Sequence, residues 1–218
     1  MFSEMINMCQ DCSWDGTISI HSRLGDKIKN GTHYKGRPII HRDSPIDGGV
    51  YLGANAREAI VVDSSKDPDV RELYKNVRRK SRNMFGFFRG KFVLPAVFDA
   101  VAESMPDQDE DAVNEVLRKY DVGKDTKIYL GVFLREGAGL CRHDALACGV
   151  ALELLKKNGY INGNVSVDRN ELYGRHAWTR YTDKSGIHVI DVGLNYLGPL
   201  QGPDAKWHYA RPEDLRLK

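Results

Sequence analysis

A cysteine at the start of an apolar run is the feature of the sequence with the clearest chemical potential. The stretch GAGLCRHDALACGVALELL places Cys141 after a glycine-rich approach and ahead of apolar residues at helical spacing. The first turn of a helix has unpaired backbone N–H groups and the positive end of the dipole, and both stabilise an anion. We therefore expect Cys141 to be a reactive thiolate, with its own backbone N–H as one oxyanion donor. The sequence names no second donor.

A thiol that attacks an amide needs an acid–base partner, and His176 has the most suitable setting of the seven histidines. In the strand-like run RHAWTRY, His176, Trp178 and Arg180 share one face. Asp191 shares the corresponding face of the next strand if the connecting turn is even in length. A four-residue turn would place Asp191 opposite His176, and a two-residue turn at residues 184–185 would make them diagonal neighbours. Either arrangement lets the carboxylate orient the imidazole.

Residues 139–192 carry these side chains in the order of a known family. The segments GLCRHDALACGVALELLKKNGY, GRHAWTRY and HVIDVG resemble those of the transglutaminase-like superfamily of papain-type thiol enzymes. The resemblance implies a catalytic triad of Cys141, His176 and Asp191. It also implies that Cys141 attacks a carboxamide, that His176 transfers the proton, and that an acyl thioester forms.

The resemblance leaves the fate of the thioester open. Water would make the protein a peptidase, amidase or glutamine deamidase, whereas an amine would make it a transglutaminase. The Arg142-His143 pair after the cysteine resembles the pattern of a subset of the superfamily that does not include the crosslinking enzymes. The crosslinking enzymes also carry accessory domains, for which a chain of 218 residues is too short. We therefore favour hydrolysis or deamidation of a protein or peptide substrate. A noncatalytic binding module that keeps the fold is the alternative from another class.

Other residues near these motifs have structural interpretations. Trp178 is a packing residue or a wall beside the imidazole that contacts substrate. We expect His143 and Asp144 to turn away from Cys141 and act structurally, because a helix dipole favours an acidic residue in its first turn. We interpret Cys148 as a packed core thiol.

Two further polar residues of the last strand region could take part in catalysis, His188 and Asn195. His188 falls on the face opposite Asp191, and we expect it to be noncatalytic. Asn195 could replace Asp191 as the orienting residue, because Cys-His-Asn sets also work. We expect the strand to end before Asn195, which favours Asp191.

The elements that position these residues predict an α+β fold, with an antiparallel sheet packed on a buried helix that carries the nucleophilic Cys141 at its N-terminus. The helix is predicted over residues 141–157, with Asn-Gly as its C-terminal cap. The strands are predicted over residues 164–168, 174–182 and 187–192.

The rest of the chain is predicted with less specific signals. Helices are predicted over residues 68–83, 94–105 and 109–120, and a buried strand over residues 127–134. Residues 17–21 alternate weakly, as a short strand would. We divide the chain into residues 1–92, a segment of short strands and a basic helix that caps the cleft or selects substrate, and a catalytic core of residues 93–218.

Composition limits the classes of partner. A hydrophobic fraction of 41% and a formal net charge of +2 are typical of a globular domain without a nucleic-acid surface, so we interpret the basic residues of 75–91 as a solvated helix face. No apolar run is long enough to span a membrane and no secretory signal is visible, so a cytoplasmic location is expected, and secretion by a signal-independent route stays open. Cys9 and Cys12 supply only half a zinc site, so neither a metal nor a cofactor is expected. The oligomeric state stays open.

Overall fold

The computed structural model describes residues 17–53, 55, 57–82, 92–171 and 174–215, and this part of the chain is α+β. Its helices are α1 (Thr17–Leu24), α2 (Pro68–Lys80), α3 (Val93–Ser104), α4 (Glu110–Lys119), α5 (Leu130–Glu136), α6 (Cys141–Lys157) and α7 (Pro212–Leu215). Its strands are β1 (Ile28–Lys29), β2 (His33–Tyr34), β3 (Arg37–Pro38), β4 (Val50–Leu52), β5 (Ala59–Val61), β6 (Lys127–Tyr129), β7 (Asn164–Asn170), β8 (His176–Asp183), β9 (Gly186–Asp191) and β10 (Tyr196–Pro199). Within the described ranges, no helix is long and apolar enough to cross a lipid bilayer.

The main sheet has the order β10-β9-β8-β7, and every neighbouring pair is antiparallel. One face packs on α6, where the hydroxyl of Thr179 donates to the carbonyl of Ala145 at 2.7 Å. On the other face Trp178 packs with aromatic residues that include Tyr209 from the tail. Both faces are therefore buried, which explains why the middle of β8 is buried at successive positions.

Helix α6 has the predicted bounds, Cys141–Lys157, and most of its residues are buried. Gly159, with φ +74°, follows its C-terminal end and adopts the left-handed conformation that glycine tolerates best. Gly149 permits close packing in the middle of the helix, because a Cβ there would lie 2.7 Å from Ile46 Cδ1 and 3.1 Å from Val167 Cγ2. Gly149 thus allows α6 to approach β7 closely.

Two three-stranded sheets complete the fold. The first has the order β1-β2-β3, and the second has the order β4-β5-β6, in which β5 and β6 are parallel. Ile60 of β5 and Ile128 of β6 lie in the same hydrophobic cluster as the apolar face of α6. The main core therefore contains residues from both sides of position 92. The division of the chain at that position stays a prediction.

The strand predicted over residues 127–134 is wrong beyond Tyr129, where α5 begins. Leu130, Phe133 and Leu134 are all buried at helical spacing, so the apolar run serves a helix face and not a strand. The backbone N–H of Gly131 donates to Asp67 Oδ2 at 2.7 Å, which gives the first turn of α5 a partner from outside the helix.

The N-terminal region also differs from its prediction. Residues 17–21 lie in α1 and not in a strand, because a weak alternation over five residues does not distinguish the two periods. The remaining predicted helices are present with small shifts at their ends. Asp67 and Asp109 form the N-caps of α2 and α4 through their side chains.

Candidate active site

His176 and Asp191 meet at one end of the main sheet because of the hairpin between β8 and β9. Asp183 pairs with Gly186, so only residues 184–185 lie between the strands. This register makes His176 and Asp191 diagonal neighbours on one face, as the shorter of the two anticipated turns requires. Nε2 of His176 donates to Oδ2 of Asp191 at 2.5 Å.

Cys141 approaches the same imidazole from α6. It is the first residue of the helix, is partly exposed, and lies close enough to His176 to raise the pKa of that ring. Because Asp191 is bound to Nε2, Nδ1 is the nitrogen left for the thiol. The structure therefore brings the three residues of the predicted triad together, with the imidazole between sulfur and carboxylate.

The surroundings of His176 favour its charged form. Burial opposes the charge, but hydrogen bonds to Asp191 and Cys141, together with the negative charge of Asp191, raise the pKa of His176 to about 9. At neutral pH the ring is therefore an imidazolium. An imidazolium stabilises a neighbouring thiolate and can protonate a leaving amine.

Asp191 is held by three donors. Its side chain is buried, and Oδ1 accepts the backbone N–H of Leu194 at 3.1 Å. Oδ2 accepts the hydroxyl of Tyr209 at 2.7 Å in addition to His176. Sequence reasoning did not find Tyr209 as a site residue. The available signal is the presence of Trp207 and Tyr209 in the tail, because large aromatic side chains favour packing on the body of the protein.

Two tryptophans flank the imidazole. Trp178 is fully buried, and its ring lies 6.1 Å from that of His176 at an interplanar angle of 27°. It forms a wall behind the imidazole, and its contact with substrate stays a prediction. Trp207 lies nearer, with 5.0 Å between its ring centroid and that of His176. The His176 ring therefore has aromatic neighbours from both the sheet and the tail.

Arg142 and His143 bind the start of α6 to the second sheet through Glu58. Nε of Arg142 donates to Glu58 Oε1 at 2.6 Å, and Nε2 of His143 lies 3.3 Å from the same oxygen. Nδ1 of His143 accepts the N–H of Leu140 at 3.1 Å, ahead of the first helical turn. These contacts give His143 the structural role expected of it.

The charge states in this cluster follow from burial and from Arg142. Burial and the Arg142 guanidinium lower the pKa of His143 to about 4, so the ring is neutral. Burial opposes ionisation of Glu58, but the adjacent His143 ring and the charge of Arg142 lower its pKa to about 2. The cluster is therefore a buried carboxylate–guanidinium pair beside a neutral imidazole.

Asp144 lies nearer to the triad than expected. A Cβ built on Gly193 would lie 3.6 Å from Asp144 Oδ2, 3.8 Å from Asp191 Oδ1 and 3.9 Å from Cys141 Cα. The expectation that Asp144 turns away is wrong because residues three apart on a helix are neighbours. Gln108 donates to Asp144 Oδ1 at 3.0 Å, whereas Oδ2 is buried without a hydrogen-bond partner in the described part of the chain. Burial, reinforced by the charge of Asp191, raises the pKa of Asp144 to about 7.

His188 and Asn195 lie apart from the His176 imidazole. His188 pairs with Tyr181 in the sheet, and its Nε2 is 3.0 Å from the hydroxyl of Ser185 at the hairpin turn. Asn195, with φ +50°, lies in the turn between β9 and β10. Asp191 therefore occupies the orienting position beside His176 for which Asn195 was the alternative.

A cleft of about 220 Å³ opens beside Cys141 and His176. Tyr51, Gly53 and Arg57 supply part of its wall, so the segment before residue 92 reaches the site. Its selection of substrate stays a prediction. Several arginines line the cleft, and most are paired with carboxylates. Their pairs are Arg57 with Glu110 at 3.1 Å, Arg175 with Glu171 at 3.3 Å, and Arg142 with Glu58 at 2.6 Å.

The remaining site features concern oxyanion donors and metals. The N–H of Cys141 is in the first helical turn, where α6 itself offers no acceptor. The second oxyanion donor stays unassigned. Among the described residues, no group of three or more His, Cys, Asp or Glu side chains is arranged to hold a metal ion. The predictions for Cys9, Cys12, Arg89 and Lys91 fall on residues outside the described ranges.

Helix α2 carries the described basic residues, and several of them interact with other side chains of the protein. The guanidinium of Arg78 lies 4.9 Å from the centroid of the Tyr160 ring. Lys80 forms an ion pair with Glu103 at 2.7 Å. The expectation that this helix does not bind nucleic acid stays a prediction.

Comparisons with protein-family models, with curated protein sequences and with solved structures find no match to this chain.

Proposed function

We propose that the protein is a transglutaminase-like thiol enzyme that acts on an amide bond of a protein or peptide through an acyl thioester at Cys141. The observation that carries this proposal is the position of His176, which contacts Cys141 on one side and Asp191 on the other. A charged imidazole beside a helix N-terminal cysteine is the arrangement that activates a thiol for nucleophilic attack.

The proposed reaction begins with the thiolate–imidazolium pair. Sγ of Cys141 attacks the carbonyl carbon of a carboxamide, and the oxyanion that forms accepts the N–H of Cys141. The C–N bond then breaks as His176 gives its proton to the departing nitrogen. Ammonia leaves if the substrate is a side-chain amide, and an amine leaves if it is a peptide bond.

Water completes the proposed cycle. The freed imidazole takes a proton from a water molecule as the oxygen of that water attacks the thioester carbon. The C–S bond breaks, the product leaves as a carboxylate, and the thiolate–imidazolium pair is restored. Asp191 accepts from Nε2 of His176 and keeps the imidazole oriented throughout. An amine in place of water would give transglutamination by the same route.

Alkylation of the thiols tests this proposal. Limiting iodoacetamide at pH 7 should modify Cys141 well before Cys148, because burial raises the pKa of the Cys148 thiol. Mass spectrometry of the digested protein locates the modified residues. Cys141→Ala should abolish this fast modification and lower any amide turnover by about 10³-fold or more.

Cys148→Ala is the matched control and should leave the fast modification unchanged. Equal modification of all cysteines would contradict an activated Cys141. A glutamine-rich denatured protein, incubated with and without a primary amine probe, separates the possible reactions. Loss of ammonia, peptide cleavage and amine incorporation are distinguishable by mass.

A further inference from the structure

The tail that follows β10 returns to the main sheet and is fixed there by buried ion pairs. Arg211 donates to both carboxylate oxygens of Asp168, at 2.8 and 2.7 Å, and to Asp43 at 2.9 Å. Asp168 is fully buried. Two parallel bonds from Arg180 to Asp214, both 2.7 Å, hold the next turn of the tail. Bidentate pairs of this kind fix direction as well as distance.

This anchoring delivers Tyr209 to Asp191. The Tyr209 side chain is buried, and its hydroxyl donates to Asp191 Oδ2 at 2.7 Å, the same oxygen that His176 Nε2 contacts at 2.5 Å. Its ring is stacked on Tyr196 at 5.3 Å and meets Trp178 edge-on at 5.2 Å. The ring therefore has little freedom to move the hydroxyl away from the carboxylate.

Trp207 adds a second contact from the same tail. Its Nε1 donates to Asn170 Oδ1 at 2.8 Å, and Asn170 Nδ2 donates to the carbonyl of His208 at 2.9 Å. These bonds place the Trp207 ring 5.0 Å from the His176 ring. The tail thus covers the imidazole with one side chain and contacts its carboxylate partner with another.

We propose that Tyr209 is a positioning residue of the active site, and that docking of residues 207–211 is required for full activity. This inference rests on the proposed function. The Tyr209 hydroxyl holds the Asp191 carboxylate so that Oδ2 faces His176, and the Leu194 N–H holds the other oxygen. Without the hydroxyl, Asp191 loses one of its three donors, and its hold on the imidazolium weakens.

Tyr209→Phe in the full chain tests the proposal, because it removes the hydroxyl and keeps the ring. The second-order rate of Cys141 alkylation by iodoacetamide is measured from pH 4 to pH 10. A weaker Asp191–His176 contact should move the rise in reactivity to higher pH. Amide turnover should fall about tenfold in kcat with little change in KM, as expected for a lost hydrogen bond to a charged group.

Tyr196→Phe is the matched control. Tyr196 stacks on the same ring, and its hydroxyl donates to the carbonyl of Pro199 at 2.5 Å and not to Asp191. It should lower stability without moving the pH profile. Trp207→Phe keeps an aromatic ring but loses the bond to Asn170, so it should move the profile in the same direction as Tyr209→Phe. This variant keeps the test open if Tyr209→Phe folds poorly.

The outcomes separate this inference from the proposed function. Fast alkylation of Cys141 in the wild type, with the same profile in Tyr209→Phe, overturns the role of the tail and leaves the thiol enzyme standing. The same shift in Tyr196→Phe also overturns it, because a structural loss would then explain the change. Absence of fast Cys141 alkylation in the wild type overturns both proposals.

Discussion

Asp144 is the residue whose charge state is most affected by its place beside the triad. Its carboxyl is buried, one oxygen accepts from Gln108, and the other faces the side where Asp191 lies. The pKa of about 7 means that the folded protein retains a proton that the unfolded chain loses near pH 4. The protonated Asp144 carboxyl therefore makes its full contribution to the unfolding free energy of the wild type below pH 4, and this contribution is lost as the pH rises through about 7.

Asp144→Asn should remove this dependence. The amide oxygen can still accept from Gln108, and the amide nitrogen can face Asp191. Relative to wild type, the variant should gain about 3 kcal/mol in unfolding free energy between pH 4 and pH 8. Urea denaturation at both pH values measures the change. An equal difference between the two proteins at both pH values would contradict a raised Asp144 pKa.

At the scale of elements, the parts with strong local signals were predicted well. Helix α6 was predicted with its observed bounds, because the glycine-rich approach and the Asn158–Gly159 cap are encoded in neighbouring residues. The hairpin was predicted only as an even turn of two or four residues, since the sequence does not decide between two registers that bury the same face. The structure has the two-residue turn.

Helix α5 was missed because its partner is distant in sequence. After Lys127, the run IYLGVFL has no charged residue and satisfies either period over its length. Asp67, sixty-four residues earlier, accepts the N–H of Gly131 at the start of α5 and also caps α2 through the N–H of Asp69 at 3.1 Å. One carboxylate thus serves two helices, which local sequence does not reveal.

Gly131→Ala should therefore destabilise both helices. An added Cβ would lie 1.9 Å from Asp67 Oδ1, so the carboxylate must leave its place. The variant loses the cap of α2 and the buried hydrogen bond to the N–H of residue 131. Its unfolding free energy should fall by about 2 kcal/mol, after subtraction of the stabilisation that alanine gives relative to glycine in a helix. Chemical denaturation followed by circular dichroism measures the loss.

Gly123→Ala is the control for this substitution. A Cβ at Gly123 would meet only the Thr126 hydroxyl oxygen, at 3.5 Å, which is an ordinary contact. It should change the unfolding free energy much less than Gly131→Ala does. Equal losses in the two variants would show that Asp67 does not depend on the glycine.

At the scale of the whole molecule, the site depends on pairs that lie far apart in the chain. Glu58 and Arg142 are separated by 84 residues, and Asp43 and Arg211 by 168. No periodicity or local motif predicts such pairs, since each partner alone is typical of a solvated surface. Local motifs led to the prediction that Cys141, His176 and Asp191 meet, whereas Tyr209 and the residues that anchor its tail have no such motif and could not be predicted.

Glu58→Gln tests how strongly the second sheet holds the start of α6. The side chains of Glu58 and Arg142 are only 1% and 11% exposed, so removal of the carboxylate leaves a poorly hydrated guanidinium without its counter-charge. We expect a loss of about 3 kcal/mol in unfolding free energy near pH 7, measured by urea denaturation.

Glu103→Gln provides the comparison for that loss. It breaks the pair with Lys80. The Glu103 side chain is 60% exposed, and exposed pairs contribute about 1 kcal/mol or less. If both variants lost the same small amount, the Glu58 pair would not hold the helix in place.

The hydrophobic core that spans position 92 has a consequence for how this chain can be recombined. Ile40, Ile46 and Ile60 lie in one cluster with Leu146 of α6 and Ile190 of β9. A chimaera that exchanged everything before residue 92 would replace one side of this shared interior. Foreign residues of different volume would leave voids or clashes beside α6, and either would destabilise the folded protein. The early segment and the thiol-bearing helix are therefore constrained to change together.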